Sequence, residues 1–189
     1  MLQSPAPETA NEGPPAPPRA WDGGPIVLVG LMGVGKSTVG RRLSQRLHLP
    51  FVDADNEIEA AAGMGIPEIF ERFGEPYFRD GERRVIARLI DGTPKVIATG
   101  GGAFVQDETR ALILSEATAI WLDADPDVLV DRVSRRDTRP LLRGRDPRAV
   151  LRELARVRNP LYAQAHIRVL SNRSPHEVTV TAILKAIGR

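Results

Sequence analysis

The chain has 189 residues, of which 42% are hydrophobic and 26% charged, and this length and composition suit one soluble domain with a sizeable core. It contains no cysteine, which excludes disulfides and thiolate metal sites and favours a reducing cytoplasm as its location. The formal net charge of +2 is too small to indicate nucleic-acid binding, and neither a membrane-spanning apolar run nor a secretory signal is visible.

The first segment differs in composition from the rest of the chain. Seven of the sixteen prolines lie in the first 25 residues, among small and polar residues. Such a segment cannot bury enough apolar surface to offset the entropy lost on ordering. We therefore predict a disordered tail over residues 1–24 and a single domain over residues 25–189.

Apolar runs and helical patterns alternate along the predicted domain. Strands are predicted at 26–29, 51–53, 95–99, 118–122 and 167–170. Helices are predicted at 36–47, 56–62, 67–73, 75–90, 108–115, 126–135, 147–165 (interrupted near Asn159-Pro160) and 175–187, and an arginine-rich loop at 137–146. Five short strands between helices predict a five-stranded parallel sheet covered on both faces, which is a three-layer α/β/α fold.

The motif Gly30-Leu-Met-Gly-Val-Gly-Lys-Ser-Thr38 joins the first predicted strand to the first predicted helix. It has the spacing and the context of a phosphate-binding loop. Its glycines allow backbone N–H groups to converge on a phosphate, and the positive end of the helix adds to that potential. The alternative is a glycine-rich turn that caps an ordinary helix. We predict that the loop binds a nucleoside triphosphate through Gly33, Val34, Gly35, Lys36, Ser37 and Thr38.

Two other polar signals follow predicted strands, where ligands bind in parallel sheets. Asp53 and Asp55 follow the second strand, so one carboxylate can hold Mg²⁺ through water and the other can accept a proton from a hydroxyl. A helix cap is the alternative for this pair. Gly100, Gly101 and Gly102 follow the third strand and would let a small substrate lie against the backbone, although a tight turn could also use them.

Three arginines are candidate anion ligands. Arg79 and Arg158 could each bind a carboxylate through a forked pair of hydrogen bonds. Arg139, in the arginine-rich loop, could neutralise charge on a triphosphate as the phosphoryl group moves. For Arg79 and Arg158 the alternative is an ordinary surface position, and for Arg139 it is a solvated loop charge.

In combination these motifs resemble the shikimate kinase family, over a length from about Ile26 to the C-terminus. The resemblance rests on the phosphate loop and on further segments in matching order and spacing. These are Asp53-Ala-Asp55 with Ile58-Glu59, Ile69-Phe70 with Gly74-Glu75, Phe78-Arg79 with Glu82, Gly100-Gly101-Gly102-Ala103, Arg139-Pro-Leu-Leu142 and Arg158-Asn-Pro-Leu-Tyr162. The resemblance implies a P-loop kinase fold with a substrate-binding helical region and a mobile lid at about 137–146.

The resemblance also implies an activity and a role for each candidate residue. The activity is transfer of the ATP γ-phosphate to the 3-hydroxyl of shikimate, on the route to chorismate and the aromatic amino acids, with Mg²⁺ as cofactor. The implied roles fall into three groups: catalysis by Lys36, Asp55 and Arg139; metal binding by Ser37 directly and Asp53 through water; and binding of shikimate by Asp55, Arg79, Glu82, Gly100, Gly101, Gly102 and Arg158. Arg132 and Arg139 are expected to contact ATP, as is Arg173 in the segment Asn172-Arg173-Ser174-Pro175.

Two other functions remain open from the sequence. One is a kinase with the same loop that acts on another small hydroxylated acid, such as gluconate. The other is a regulatory or nucleic-acid-linked NTPase, although aromatic residues are only 5% of the chain and do not interleave with its arginines. We expect a cytoplasmic monomer that acts on shikimate and ATP and binds neither nucleic acid nor membrane.

Overall fold

The computed structural model describes residues 21–133, 146–171 and 173–189, and within them five strands form one parallel sheet. The strands are β1 (Ile26–Val29), β2 (Phe51–Asp53), β3 (Val96–Ala98), β4 (Thr118–Asp123) and β5 (Ile167–Leu170). The α-helices of the described residues are α1 (Lys36–Leu47), α2 (Ala54–Ala62), α3 (Ile66–Leu89), α4 (Asp107–Glu116), α5 (Pro126–Val133), α6 (Pro147–Tyr162) and α7 (His176–Ala186). A short 3₁₀ helix, Ala103–Val105, follows the three glycines.

The strand order, β2-β3-β1-β4-β5, places β3 between β2 and β1. In register, Asp53 pairs with Ala98, and Ala98 pairs with Leu28. The carboxyl ends of these three neighbouring strands therefore lie side by side. Each end is followed by one of the polar signals of the sequence, which brings the phosphate loop, the aspartates and the glycines to one edge of the sheet.

Helices cover both faces of the sheet, in agreement with the predicted three-layer architecture. Helices α1 and α7 pack against each other, while α4 packs on β4 and contacts α3. Strand β1 is completely buried, as expected for a central strand of a parallel sheet. Burial of these apolar side chains is the main stabilising contribution to the fold and makes the sheet edge a rigid support for the site.

One predicted helix break is confirmed and another is wrong. The predicted pair of helices at 67–73 and 75–90 is one element, α3, but its backbone is non-helical at Gly74, with φ 79° and ψ 175°. The interruption predicted near Asn159-Pro160 is wrong, because α6 continues through Pro160 to Tyr162. Pro160 has no N–H to donate to the carbonyl four residues earlier, so α6 lacks one hydrogen bond there but continues for two more residues.

Of the predicted tail the structure describes only residues 21–24, and of the predicted lid only Asp146. Trp21 packs against the core, donates a hydrogen bond to the Gly24 carbonyl at 2.8 Å, and lies under the Arg189 guanidinium. Asp146 caps α6 by accepting hydrogen bonds from the N–H groups of Arg148 and Ala149. The tail boundary and the lid stay predictions. No helix in the described ranges is long and apolar enough to cross a membrane.

Candidate active site

The phosphate loop lies between β1 and α1 and has the conformation that its glycines permit. Gly35 immediately precedes α1 with φ 99°, and Gly33 has φ 80°, both in the left-handed region that glycine favours. The first N–H groups of α1 are therefore available at the mouth of the loop, where helix geometry leaves them without intrahelical partners. This arrangement can bind an anion.

Lys36, the first residue of α1, folds back over the loop. Its Nζ donates hydrogen bonds to the carbonyls of Gly30 at 2.7 Å and Leu31 at 2.9 Å, and the side chain is only 9% exposed. These carbonyls keep the Lys36 ammonium close to the space that the loop encloses. A phosphate bound there would meet a positive charge already in position.

Arg132 on α5 and Ser171, which directly follows β5, support the outer side of the loop. The Val34 carbonyl accepts hydrogen bonds from Arg132 Nη1 at 3.2 Å and from Ser171 Oγ at 3.1 Å. Burial lowers the pKa of Arg132, although an arginine stays charged at neutral pH. Arg173 lies further out, with an exposed side chain 3.5 Å from a carboxylate oxygen of Asp131. Arg132 is thus part of the loop's support, whereas the described contacts tie Arg173 to α5.

His176 is a neighbour of the loop that the sequence analysis did not single out. Its ring packs so closely on Gly35 that a Cβ there would lie 2.8 Å from His176 Cε1. Burial lowers the pKa of His176, and the charges of Arg132 and Arg42 lower it further. The neutral ring therefore acts as a packing group against the loop. Its position directly after the segment Asn172-Arg173-Ser174-Pro175 was the only signal in the sequence.

Ser37 and Asp53 bring two oxygen atoms together beside the loop. Ser37 Oγ donates to Asp53 Oδ2 at 2.6 Å, and Asp53 Oδ1 caps α2 by accepting from the Asp55 N–H at 3.2 Å. Mg²⁺ prefers oxygen ligands and typically combines one or two protein groups with phosphates and water. Within the described ranges no three or more His, Cys, Asp or Glu residues cluster as a metal site. The donor set at Ser37 and Asp53 fits a Mg²⁺ completed by nucleotide and water.

Asp55 lies in the first turn of α2 and faces the same cleft. Burial raises the pKa of this carboxyl above its usual value, and the charge of Asp53 raises it further. The charge of Lys36 acts in the opposite direction, which places the ammonium close enough to influence Asp55. A carboxylate with a raised pKa is a stronger base than an ordinary one, as proton transfer from a hydroxyl requires.

The three glycines form a floor against which side chains from two helices pack. A Cβ at Gly100 would lie 2.9 Å from Asp55 Oδ1 and 3.1 Å from Glu82 Oε1. A Cβ at Gly102 would lie 2.7 Å from Arg79 Cζ. A Cβ at Gly100 or Gly102 would therefore have to displace the Asp55 or the Arg79 side chain, and glycine avoids both conflicts. The floor therefore brings Asp55, Glu82 and Arg79 to one place.

Arg79 and Glu82 form a largely buried ion pair on α3. Arg79 Nη1 donates to Glu82 Oε2 at 2.5 Å, and Glu82 is 1% exposed. Burial raises the pKa of Glu82, while the Arg79 charge opposes that shift. Glu82 Oε1 has no hydrogen-bond partner in the described residues. The pair fixes the guanidinium over the glycine floor, which is the geometry that a carboxylate ligand needs.

Arg158 reaches the same floor from α6. Its Nη1 donates to the Gly101 carbonyl at 3.1 Å, and its charge acts to lower the pKa of Glu82. Tyr162, one turn further along α6, donates its hydroxyl to the same carbonyl. The structure therefore brings Arg79 and Arg158 to adjacent glycines. The contact of Tyr162 was missed, although its spacing four residues after Arg158 places both on one helix face.

Of the residues predicted for the site, most converge on the carboxyl edge of β1, β2 and β3. They are Gly33, Val34, Gly35, Lys36, Ser37, Thr38, Asp53, Asp55, Arg79, Glu82, Gly100, Gly101, Gly102, Arg132 and Arg158. Arg139 and most of the predicted lid lie outside the described residues. The site thus has an anion-binding loop at one end and two arginines with a buried carboxylate at the other.

This fold and this site define a P-loop phosphotransferase, a class built on the strand–glycine loop–helix unit. A family model described as shikimate kinase matches residues 32–188. The chain belongs to the shikimate kinase family.

Curated relatives agree over most of the chain. The sequence is 64% identical over 162 residues to the shikimate kinase of Caulobacter vibrioides NA1000, covering 86% of this chain and 81% of that protein. It is 61% identical over 172 residues to the shikimate kinase of Novosphingobium aromaticivorans, covering 88% and 89%.

Solved structures give the same family. The chain matches the shikimate kinase of Acinetobacter baumannii in complex with shikimate with 38% identity and a TM-score of 0.83, covering 87% of this chain and 92% of that one. A gluconokinase from Sinorhizobium meliloti matches with a TM-score of 0.60 at 20% identity, covering 88% and 93%. This second likeness concerns the fold alone.

Proposed function

We propose that this chain phosphorylates shikimate: it transfers the γ-phosphoryl group of ATP to the 3-hydroxyl and releases ADP and shikimate 3-phosphate. The observation that carries the proposal is the convergence of two arginines and a buried carboxylate on the Gly100–Gly102 floor, beside a phosphate loop. Shikimate has one carboxylate and several hydroxyls, so it needs cationic ligands at one end and a hydroxyl acceptor at the other. Such a site matches both requirements.

The carboxylate of shikimate binds between Arg79 and Arg158 in this proposal. Charge-assisted hydrogen bonds to a guanidinium are about twice as strong as neutral ones and fix the plane of the carboxylate. Glu82 supports Arg79 through their ion pair, so the fork is oriented before the substrate arrives. Gly100, Gly101 and Gly102 allow the ring to lie close to the backbone.

ATP binds with its phosphates on the loop of Gly33, Val34, Gly35, Lys36, Ser37 and Thr38. Lys36 exchanges its bonds to the Gly30 and Leu31 carbonyls for bonds to phosphate oxygens. Arg132 and Arg173 are proposed to contact the nucleotide outside the loop. Arg139 is proposed to neutralise charge from the lid.

Mg²⁺ is the proposed cofactor, held by Ser37 directly and by Asp53 through water. When bound, it neutralises charge on the β- and γ-phosphates. Ser37 and Asp53 also orient each other through the hydrogen bond between them.

The reaction forms one bond and breaks one. The 3-oxygen of shikimate attacks the γ-phosphorus, the bond from that phosphorus to the β–γ bridging oxygen breaks, and ADP leaves with the electron pair. Asp55 accepts the hydroxyl proton, which its raised pKa favours. Lys36 stabilises the charge that develops on the phosphoryl oxygens.

A coupled ADP-release assay with ATP, Mg²⁺ and a panel of acceptors tests the proposal. We expect shikimate to support turnover and gluconate to give no more than the background hydrolysis of ATP. Lys36→Met, which removes the ammonium, should lose turnover with shikimate. Absence of shikimate-dependent ADP release in the unsubstituted chain would end the proposal. The cytoplasmic location and the monomeric state are additional predictions, which fractionation and light scattering test.

A further inference from the structure

We propose that Tyr162 is a positioning residue of the substrate site: its phenol, together with Arg158, fixes the Gly101 carbonyl and so orients the Gly101–Gly102 peptide under the bound acid. The inference rests on the proposed function, because it assigns to the glycine floor the role of holding the shikimate ring.

The contacts converge on one atom. The Tyr162 hydroxyl and Arg158 Nη1 both donate to the Gly101 carbonyl oxygen, the latter at 3.1 Å. A carbonyl oxygen has two lone pairs, so the two donors saturate it. Both donors come from adjacent turns of α6, which packs on α5 and on the 3₁₀ helix that follows the glycines. The orientation of this peptide is therefore set from outside its own loop.

The peptide plane carries that constraint to the substrate side. A trans peptide is planar, with its N–H opposite to its carbonyl, so fixing the Gly101 carbonyl also fixes the Gly102 N–H. No acceptor in the described part of the chain takes a hydrogen bond from this N–H. The neighbouring Gly102 Cα lies against the Arg79 guanidinium. Rotation of this peptide would therefore displace both the Gly102 N–H and the Arg79 guanidinium of the proposed site.

The ring and the hydroxyl of Tyr162 have separable roles. The ring is completely buried and packs beside Phe104 and Trp121, with centroid distances of 6.3 and 6.1 Å. Burial raises the pKa of Tyr162, so the hydroxyl stays protonated and remains a donor at neutral pH. The ring accounts for packing, whereas the hydroxyl donates to a carbonyl of the floor and also interacts with Arg158.

Tyr162→Phe tests the proposal because it keeps the ring and removes only the hydroxyl. We expect the KM for shikimate to rise about three- to tenfold, as the loss of one neutral hydrogen bond implies, while the KM for ATP stays within twofold. The matched control is Tyr77→Phe. Tyr77 is the other tyrosine of the chain, is 54% exposed, and lies outside the proposed machinery. It should change neither KM.

The outcomes separate this inference from the proposed function. If the unsubstituted chain releases no ADP with shikimate, the proposed function fails. If it is active and Tyr162→Phe leaves the shikimate KM unchanged, or raises both KM values equally, the positioning role is wrong. A lower melting temperature with unchanged KM values would mean that the hydroxyl is only structural.

A second arm covers the case in which Tyr162→Phe does not fold. In Tyr77→Phe the sole tyrosine is Tyr162, so 3-fluorotyrosine can be incorporated there, which keeps the hydroxyl and makes it more acidic. Arg158 on its own helix and Arg79 and Glu82 on α3 are the charged groups that act on this phenol. We expect the shikimate KM to begin rising at a lower pH than with ordinary tyrosine, with no such change for ATP. Identical pH profiles would overturn the proposal.

Discussion

Gly102→Ala, which adds a single methyl group, should impair the use of shikimate and leave the binding of ATP unchanged. Gly102 has φ −96° and ψ −12°, which is outside the left-handed region and open to alanine, so the substitution introduces no positive-φ strain. Its new Cβ, however, would lie 2.7 Å from Arg79 Cζ, whereas ordinary contact begins at 3.4 Å. Arg79 Nη2 would lie closer still, so the guanidinium would have to retreat by about 1.1 Å.

That displacement is large on the scale of a hydrogen bond. Arg79 is held by Glu82 at 2.5 Å, so its retreat also disturbs the buried ion pair. Loss of one charge-assisted hydrogen bond to the substrate costs about 1.5–3 kcal/mol, which corresponds to about a 10- to 150-fold fall in kcat/KM for shikimate. The phosphate loop is not touched, so we expect the KM for ATP to stay within twofold.

Steady-state kinetics with each substrate varied in turn provides the assay. The matched control is Gly81→Ala, two residues beyond Arg79 on α3, where an added Cβ meets no atom within 4 Å. It should leave kinetics unchanged and raise stability by up to about 1 kcal/mol through helix propensity. If Gly102→Ala retains the shikimate KM of the unsubstituted chain, Arg79 does not bind the substrate in the way proposed.

Three further predictions follow from the site. Arg158→Ala should raise the KM for shikimate far more than that for ATP, by about 10-fold or more, since it removes a charged ligand; equal effects on both would contradict its role. Asp55→Asn should reduce turnover at least 100-fold while ATP binding survives, and near-normal turnover would remove Asp55 from the mechanism. In Tyr77→Phe, the phenolate absorbance of Tyr162 should appear only above the usual pKa of tyrosine, because burial raises its pKa; titration in the ordinary range would contradict that burial.

Asp55→Asn also has a predicted effect on stability, with a definite sign. The pKa of Asp55 is raised in the folded protein, so above its unfolded value the unfolded state binds fewer protons than the folded state. The free energy of unfolding therefore falls as pH rises through the interval between the two values. Asp55→Asn removes the ionisable group, and with it this loss of stability, so the variant should be more stable than the unsubstituted enzyme at neutral pH. Urea denaturation across that pH interval measures the difference.

Much of the fold was predictable because it depends on local patterns. The phosphate loop predicts a strand before it and a helix after it, and the bounds of β1 and α1 are confirmed. The break at Gly74 was also visible, since glycine tolerates the positive φ found there. Pro160 misled the prediction: a proline removes one helical hydrogen bond, but α6 continues past it to Tyr162.

The sequence predicted which residues form the site better than it predicted the contacts between them. Asp53 and Gly100 could be placed at strand ends, and parallel strands bring such ends together. The sequence does not show, however, that Arg79 and Gly102 approach so closely that a Cβ would not fit, because that distance depends on how α3 packs against the sheet. The same holds for His176 and Gly35, which are distant in sequence and meet only through the packing of α7.

A crystal structure of this chain with shikimate would test the central claim most directly. The account predicts that the carboxylate of the ligand lies within about 3 Å of both the Arg79 and the Arg158 guanidinium, with a ring hydroxyl at hydrogen-bond distance from Asp55. A carboxylate bound away from either arginine, or a ligand without a hydroxyl near Asp55, would contradict it.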